Sequence, residues 1–333
     1  MQTMLSGVQV PVYSQERLES LAQVMALEQF KLISPNPEKL VQAAPSLLQG
    51  NRGKDYVYLT RLGEGLGSLV GKTFTFWDQC GKVGKGKFGT VLAVDESGLT
   101  VGEKGELEAL RDGVGLIPWR RKGVKARSVD LVHPVRCSLM LQFADLRGES
   151  PSLFLLHSVQ EVVKHVEVDY VLADAGFLNF QVLREMPVKI VVRGKSGLKG
   201  FQQLSSLRLQ ESVRKVEDRT YVAYRELELD GLYYYDVVYV KDKERPRHFT
   251  FVTNFKGDPY TLAELYRLRW QIEEGFKVKK ARIELVRKLR NKVLLFLCYT
   301  ILDNAWNLFN RVVFGYITPG KKFISFDSFI KLL

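Results

Sequence analysis

The chain has 333 residues, 49 Lys and Arg against 37 Asp and Glu, and a formal net charge of +12. At 46% hydrophobic residues it can bury a sizeable core, so wholesale disorder is excluded; its length allows one large domain or two ordinary ones. The charge favours a polyanionic partner, and three scattered cysteines (Cys80, Cys137 and Cys298) exclude a disulfide framework or a zinc spacing and fit a reducing cytoplasm.

Taken in order, residues 1–10 lack the charged and apolar regions of a signal peptide. Residues 14–48 predict short helices: Ser14 can cap Gln15 onward, Leu18, Leu21, Val24 and Leu27 recur at helical spacing, and Pro35 and Pro37 break the run. Gly71-Lys72-Thr73 suggests a phosphate-binding loop, but Leu66 stands where that motif needs glycine and a strand-like run follows, so the motif is rejected. Strands are predicted over Thr73–Trp77, Phe88–Val94 and from Leu99 to about Val101, with Asp95-Glu96-Ser97-Gly98 as an ordinary turn. The cluster Arg120, Arg121, Lys122, Lys125 and Arg127, beside Trp119, could be a solvated face, but with the second basic run between Tyr266 and Lys292 it fits a DNA track better.

An amphipathic helix is predicted over Leu153–His165, then a short apolar strand, Val168–Ala173, ending at Asp174-Ala175-Gly176-Phe177. A helix over Asn179–Arg184 and a strand over Val188–Val192 complete an α/β pattern with a mixed sheet. Residues 205–252 read as an all-β block: strands Tyr221–Leu229, Leu232–Val240 and His248–Thr253, with Asp230-Gly231 as a hairpin turn. From Thr261 to about Arg290 the chain is expected to be helical. The apolar stretch Val293–Val313 contains Asp303, Asn304 and Asn307, which argues for a buried helix and against a membrane span.

The helical segment holds the most informative residues. At about 100° per residue, Tyr266, Arg269, Glu273 and Lys280 fall within roughly 60° on one stripe. The plain alternative is a solvated face with an Arg269–Glu273 pair. Their spacing, Y-x2-R-x3-E-x6-K, resembles the signature of one group of DDE transposases, the bacterial cut-and-paste elements of the insertion sequence four-like family. Asp174-Ala175-Gly176-Phe177 resembles that group's Asp-x-Gly-Phe, and the all-β block resembles its β-insertion.

The resemblance implies a ribonuclease-H-like (retroviral-integrase-like) α/β fold with a mixed sheet flanked by helices, an inserted all-β subdomain and a small N-terminal helical region. It divides the chain into a helical region at 1–60, the first part of the core at 61–204, the β-insertion at 205–253 and the catalytic and C-terminal helices at 254–333. It implies cleavage at transposon ends and strand transfer into target DNA, with two Mg²⁺ or Mn²⁺ ions held by three carboxylates. Asp78, Asp174 and Glu273 are the expected metal ligands and catalytic residues. Asp95 is the rival to Asp78, and Cys80 departs from the threonine that commonly follows the first acid in this group. Asp174 could instead start a turn or cap the following helix. Tyr266, Arg269 and Lys280 are the expected DNA contacts, and a tyrosine of Tyr233-Tyr234-Tyr235 is a candidate to receive a flipped base. The expected partner is double-stranded DNA, bound by a homodimer in the cytoplasm at the nucleoid. A nuclease of the same fold without strand transfer and a catalytically inactive DNA-binding relative are the rivals.

Overall fold

A computed structural model describes residues 14–48, 87–100, 115–117, 121–144, 150–195, 197–241, 245–284, 289–314 and 324–333. The chain opens with helices α1 (Gln15–Lys31), whose first turn Ser14 caps by accepting from the Arg17 N–H, and α2 (Pro37–Leu48). Strands β1 (Val91–Thr100), β2 (Gly115–Ile117), β3 (Arg121–His133) and β4 (Cys137–Ala144) follow, then α3 (Pro151–Val162) and β5 (Tyr170–Ala173). After a 3₁₀ turn at Ala175–Phe177 come α4 (Phe180–Glu185), β6 (Lys189–Arg193) and α5 (Lys199–Ser206). Four strands succeed one another: β7 (Gln210–Val216), β8 (Arg219–Leu229), β9 (Leu232–Lys241) and β10 (Arg247–Thr253). Helices α6 (Pro259–Arg267), α7 (Trp270–Ile283), α8 (Leu289–Phe314) and α9 (Phe326–Ile330) close the chain. Among the described residues no helix is long and apolar enough to cross a membrane.

Two compact units divide the chain: residues 1–84, 96–148 and 275–333 form one, and residues 85–95 and 149–274 the other. In the second unit the strand order is β1-β5-β6-β10-β9-β8-β7. The first three strands are parallel, and β10 runs antiparallel to β6. Val91–Val94, Val171–Ala173 and Ile190–Val192 are fully buried, the continuous apolar runs that parallel strands require because both faces are covered. The β8–β9 hairpin turns at Asp230 and Gly231, both with positive φ (52° and 74°), the backbone that an Asp-Gly pair tolerates best. The hairpin and β10 form the expected all-β block, to which β7 adds an edge strand absent from the sequence reading.

The first unit holds β3 with β2 and β4 antiparallel to it, and helix α8 packs against α1 and β4. Phe296, Ile301, Leu302, Ala305 and Phe309 of α8 are fully buried, as expected for a core helix.

Three local expectations change. Asp95–Gly98 is not a turn: β1 runs unbroken from Val91 to Thr100. Glu96 is held there by Lys125 and by Arg127 (Nε–Oε2 3.3 Å) from β3, which keeps the segment extended. The basic cluster at 120–127 lies largely on β3, where Arg127 is buried and, like Lys125, spent on Glu96; these two residues are not an open DNA track. The helix expected from Thr261 to Arg290 is interrupted at Leu268 and Arg269. Amide groups of 268, 269, 271 and 272 bond three residues back instead of four, a 3₁₀ tightening between α6 and α7. Tyr266 and Glu273 therefore belong to different helices. The strand expected at Thr73–Trp77 lies outside the described residues, as does the rejected phosphate-loop segment.

Candidate active site

The register of the parallel strands places two acids side by side. Val94 of β1 pairs with Ala173 of β5, and Ala173 pairs with Val192 of β6. The next residue on each strand continues the row: Asp95, Asp174 and Arg193. Neighbouring strands lie roughly 4.8 Å apart, so at the carboxyl ends of β5 and β6, beside the middle of β1, the apolar core gives way to two carboxylates and a guanidinium. This is the edge where open α/β sheets bind ligands.

Glu273 joins the row through Arg269. The Arg269 guanidinium donates one terminal nitrogen to Asp95 (3.1 Å to Oδ2) and the other to Glu273. It is 7% exposed, against 15% for the Asp95 and 34% for the Glu273 side chain. The 3₁₀ tightening at Leu268–Arg269 lets this residue leave α6 and enter α7 with its side chain aimed at both acids. Arg269 also lies over the Tyr266 ring, 5.4 Å from its centroid. Burial desolvates the guanidinium, but Tyr266 and the nearby charges of Asp95, Glu273 and Asp174 outweigh that and hold its pKa above the ordinary value.

Asp174 precedes the 3₁₀ turn with extended backbone, and its side chain makes no capping hydrogen bond to that turn. The capping alternative is thereby removed, while the turn alternative holds: the Asp174 carbonyl accepts the Phe177 N–H (3.0 Å) and opens the 3₁₀ turn. A Cβ at Gly176, two residues on, would meet nothing within 4 Å, so the space in front of this turn is open.

Tyr266 is buried and donates its hydroxyl to the Ala173 carbonyl at 3.1 Å. Burial first, then the Asp174 charge, push its pKa well above the usual phenol range, while Arg269 and Arg193 pull it back. As built, this tyrosine braces the end of β5, a different partner from the phosphate expected of it. Lys280 lies in the other unit, where it donates to Ser97 (3.0 Å). Asp78 lies outside the described residues.

Other basic residues of this region are already engaged. Lys279 is buried, and burial pushes its pKa down. Arg267 pairs with Glu264 (2.8 Å), Glu217 and Asp218, and Arg282 pairs with Asp327 (2.8 Å). Of the three tyrosines on β9, Tyr234 and Tyr235 are core residues, and Tyr235 accepts the Gly257 N–H (3.0 Å); only Tyr233 is half-exposed.

A mixed sheet flanked by helices carries Asp95 on β1 and Asp174 just past β5, and Arg269 links Asp95 to Glu273 on the following helix. The family model for the transposase DDE domain matches residues 86–302, and the chain belongs to that family. The matched span includes Asp95, Asp174, Tyr266, Arg269, Glu273 and Lys280, and begins after Asp78. A search among curated proteins returns no match.

Proposed function

We propose that the protein is a DNA transposase of the insertion sequence four-like type, with a ribonuclease-H-like core, and that Asp95, Asp174 and Glu273 are its three catalytic carboxylates. The observation that carries this reading is the row Asp95–Asp174, where β5 ends beside the middle of the parallel strand β1, tied to Glu273 through Arg269. Asp95 takes the role expected of Asp78: it has the neighbour such a ligand needs, and it lies inside the matched span.

The donor set suits Mg²⁺ or Mn²⁺. It offers carboxylate oxygens only, three acids against one buried arginine, and Asp174 accepts no bond from its own turn. Among the described residues no three acidic, histidine or cysteine groups are gathered as built to hold an ion; Arg269 occupies the place between Asp95 and Glu273. Loading therefore asks Arg269 to release the two acids, which frees its fork for a DNA phosphate. When bound, the ions supply activation of the attacking oxygen and charge stabilisation at the departing one. Asp95 and Asp174 fix the sheet side of the site, Glu273 closes it from α7, and Tyr266 keeps the end of β5 in place. The first cut frees a 3′-hydroxyl, and that hydroxyl joins target DNA. Lys280, farther along α7, contacts backbone phosphate, and the active form is a homodimer on two transposon ends.

The test is incubation of the purified protein with Mg²⁺, a duplex carrying a transposon end and a target plasmid. Nicked and joined products are expected. Asp95→Asn, Asp174→Asn and Glu273→Gln each remove them by at least about a hundredfold, and Asp78→Asn keeps them. Activity that survives Asp95→Asn and disappears in Asp78→Asn returns the first ligand to Asp78. Nicking without joining indicates a nuclease, and DNA binding without nicking indicates an inactive relative.

A further inference from the structure

Arg193 completes the row of Asp95 and Asp174 on β6, yet nothing in the family signature points to it. Its backbone is pinned on both sides. On one side β6 pairs with β5 up to Val192–Ala173. On the other, Arg193 pairs with Phe251 of β10, and the next amide, Gly194 N–H, donates to the Thr250 carbonyl at 2.9 Å. The side chain is exposed, and among the described residues no carboxylate lies within 4.0 Å of it. Its charge nevertheless reaches the Tyr266 hydroxyl, where those of Asp174 and Arg269 also converge.

The two arginines of this site are thus in opposite states. Arg269 is buried with both terminal nitrogens committed to acids; Arg193 sits on a hydrogen-bonded strand end with its planar fork paired to no carboxylate among the described residues. A guanidinium is suited to a phosphate diester because its paired N–H groups match two phosphate oxygens. A cation on the row of Asp174 also offsets repulsion between an incoming phosphate and that acid.

We propose that Arg193 is a positioning residue that holds a DNA backbone phosphate on the β6 side of Asp174, before Arg269 is released from its acids. This rests on the transposase reading. It makes first docking of DNA depend on β6, outside the Tyr266–Lys280 signature.

The test is equilibrium binding of the full-length protein to a short end-containing duplex across a salt series with no divalent ion present. Arg193→Ala is expected to weaken binding for every duplex sequence alike and to lower the salt slope by about one. Arg193→Lys is expected to restore the slope while recovering only part of the affinity, because it keeps the charge and loses the fork. Lys189→Ala, at the opposite end of the same strand and also exposed, serves as the control and should change neither. Melting temperatures of the two Arg193 variants should match the wild type; that of Lys189→Ala is read separately, because Lys189 lies over the Tyr170 and Phe255 rings. An unchanged slope in Arg193→Ala, or a loss no larger than that of Lys189→Ala, overturns the proposal. So does a fall in melting temperature with the slope intact, which would make Arg193 a structural residue. The transposase reading fails separately, if the wild type shows no salt-dependent DNA binding or if Asp174→Asn still nicks.

Discussion

Each unit of this protein sets acids near a buried cation, and the two groups are balanced differently. In the unit that contains α8, Arg136 grips Asp303 with two contacts (2.6 and 2.7 Å). Lys279 lies in the field of Asp130 and Asp303 and within 3.5 Å of the Ser138 hydroxyl. Asn304 closes the set by accepting the Ser138 N–H (2.8 Å) and donating to its carbonyl (3.0 Å). Two cations face two acids. In the other unit, Asp95, Asp174 and Glu273 face one buried cation, Arg269, with Arg193 at the rim. Charges that cancel inside a unit are held by one another and serve the fold. Acids left in excess are expensive to gather unless a cation arrives from outside, and that imbalance is what the proposed metal site requires.

Breaking the balanced group should cost the most. Asp303→Asn leaves Arg136 and Lys279 with Asp130 alone, and the expected loss is about 3–5 kcal/mol, measured as a shift of the urea midpoint. A loss under about 1 kcal/mol would mean that these charges do not depend on one another.

Arg269→Met should cost less, about 1–2 kcal/mol, because Glu273 keeps a third of its surface in water. The variant should also gain more melting temperature from Mg²⁺ than the wild type does, since the ion no longer competes with a guanidinium. An equal gain in both proteins would show that Arg269 does not occupy the ion's place.

Tyr299 gives a pH test beside the balanced group, where Arg282 stacks over its ring. Burial raises its pKa to about 12, with the Arg282 charge acting against the shift. Between the ordinary tyrosine value and about 12, the unfolded phenol ionises and the folded one does not, so stability falls as pH rises through that window. The share lost half a unit into it is about 1 kcal/mol. Tyr299→Phe should remove that share of the alkaline decline and leave the curve below about pH 9 parallel to the wild type. Coincident alkaline declines would assign the loss to other groups.

Asp174→Asn should change stability least, within about 0.5 kcal/mol, because its carboxylate caps nothing. It should still abolish Mg²⁺-dependent nicking. A large stability loss would give Asp174 a structural role and place the imbalance elsewhere.

Much of the second unit was legible from local pattern. The apolar runs that became β5 and β6, the Asp-Gly hairpin and the position of Asp174 at a strand end all follow from short stretches of sequence. Strand β3 was missed because its residues, Arg121-Lys122-Gly123-Val124-Lys125-Ala126-Arg127, read as a charge cluster. From Gly123 on the strand is buried on both faces except at Lys125, and Glu96, about thirty residues earlier, supplies the charge that makes Arg127 tolerable inside. The break between α6 and α7 was missed for a related reason. Helical periodicity continues through Leu268 and Arg269, and what draws Arg269 out of line is a contact with Asp95, 174 residues away in the chain.

The sequence by itself determined the spacing of Tyr266, Arg269, Glu273 and Lys280, and the acid that follows the buried run of β5, because both are local and fixed by covalent distance. The tertiary structure alone decided that Asp95 stands beside Asp174, since strand register between segments about eighty residues apart is set by shared burial and hydrogen bonding. It also decided which cations are spent. Arg269, Lys279 and Arg193 look alike in the sequence; the local Glu273 and the distant Asp95 hold the first, burial among distant acids sets the second, and among the described residues no carboxylate pairs with the third.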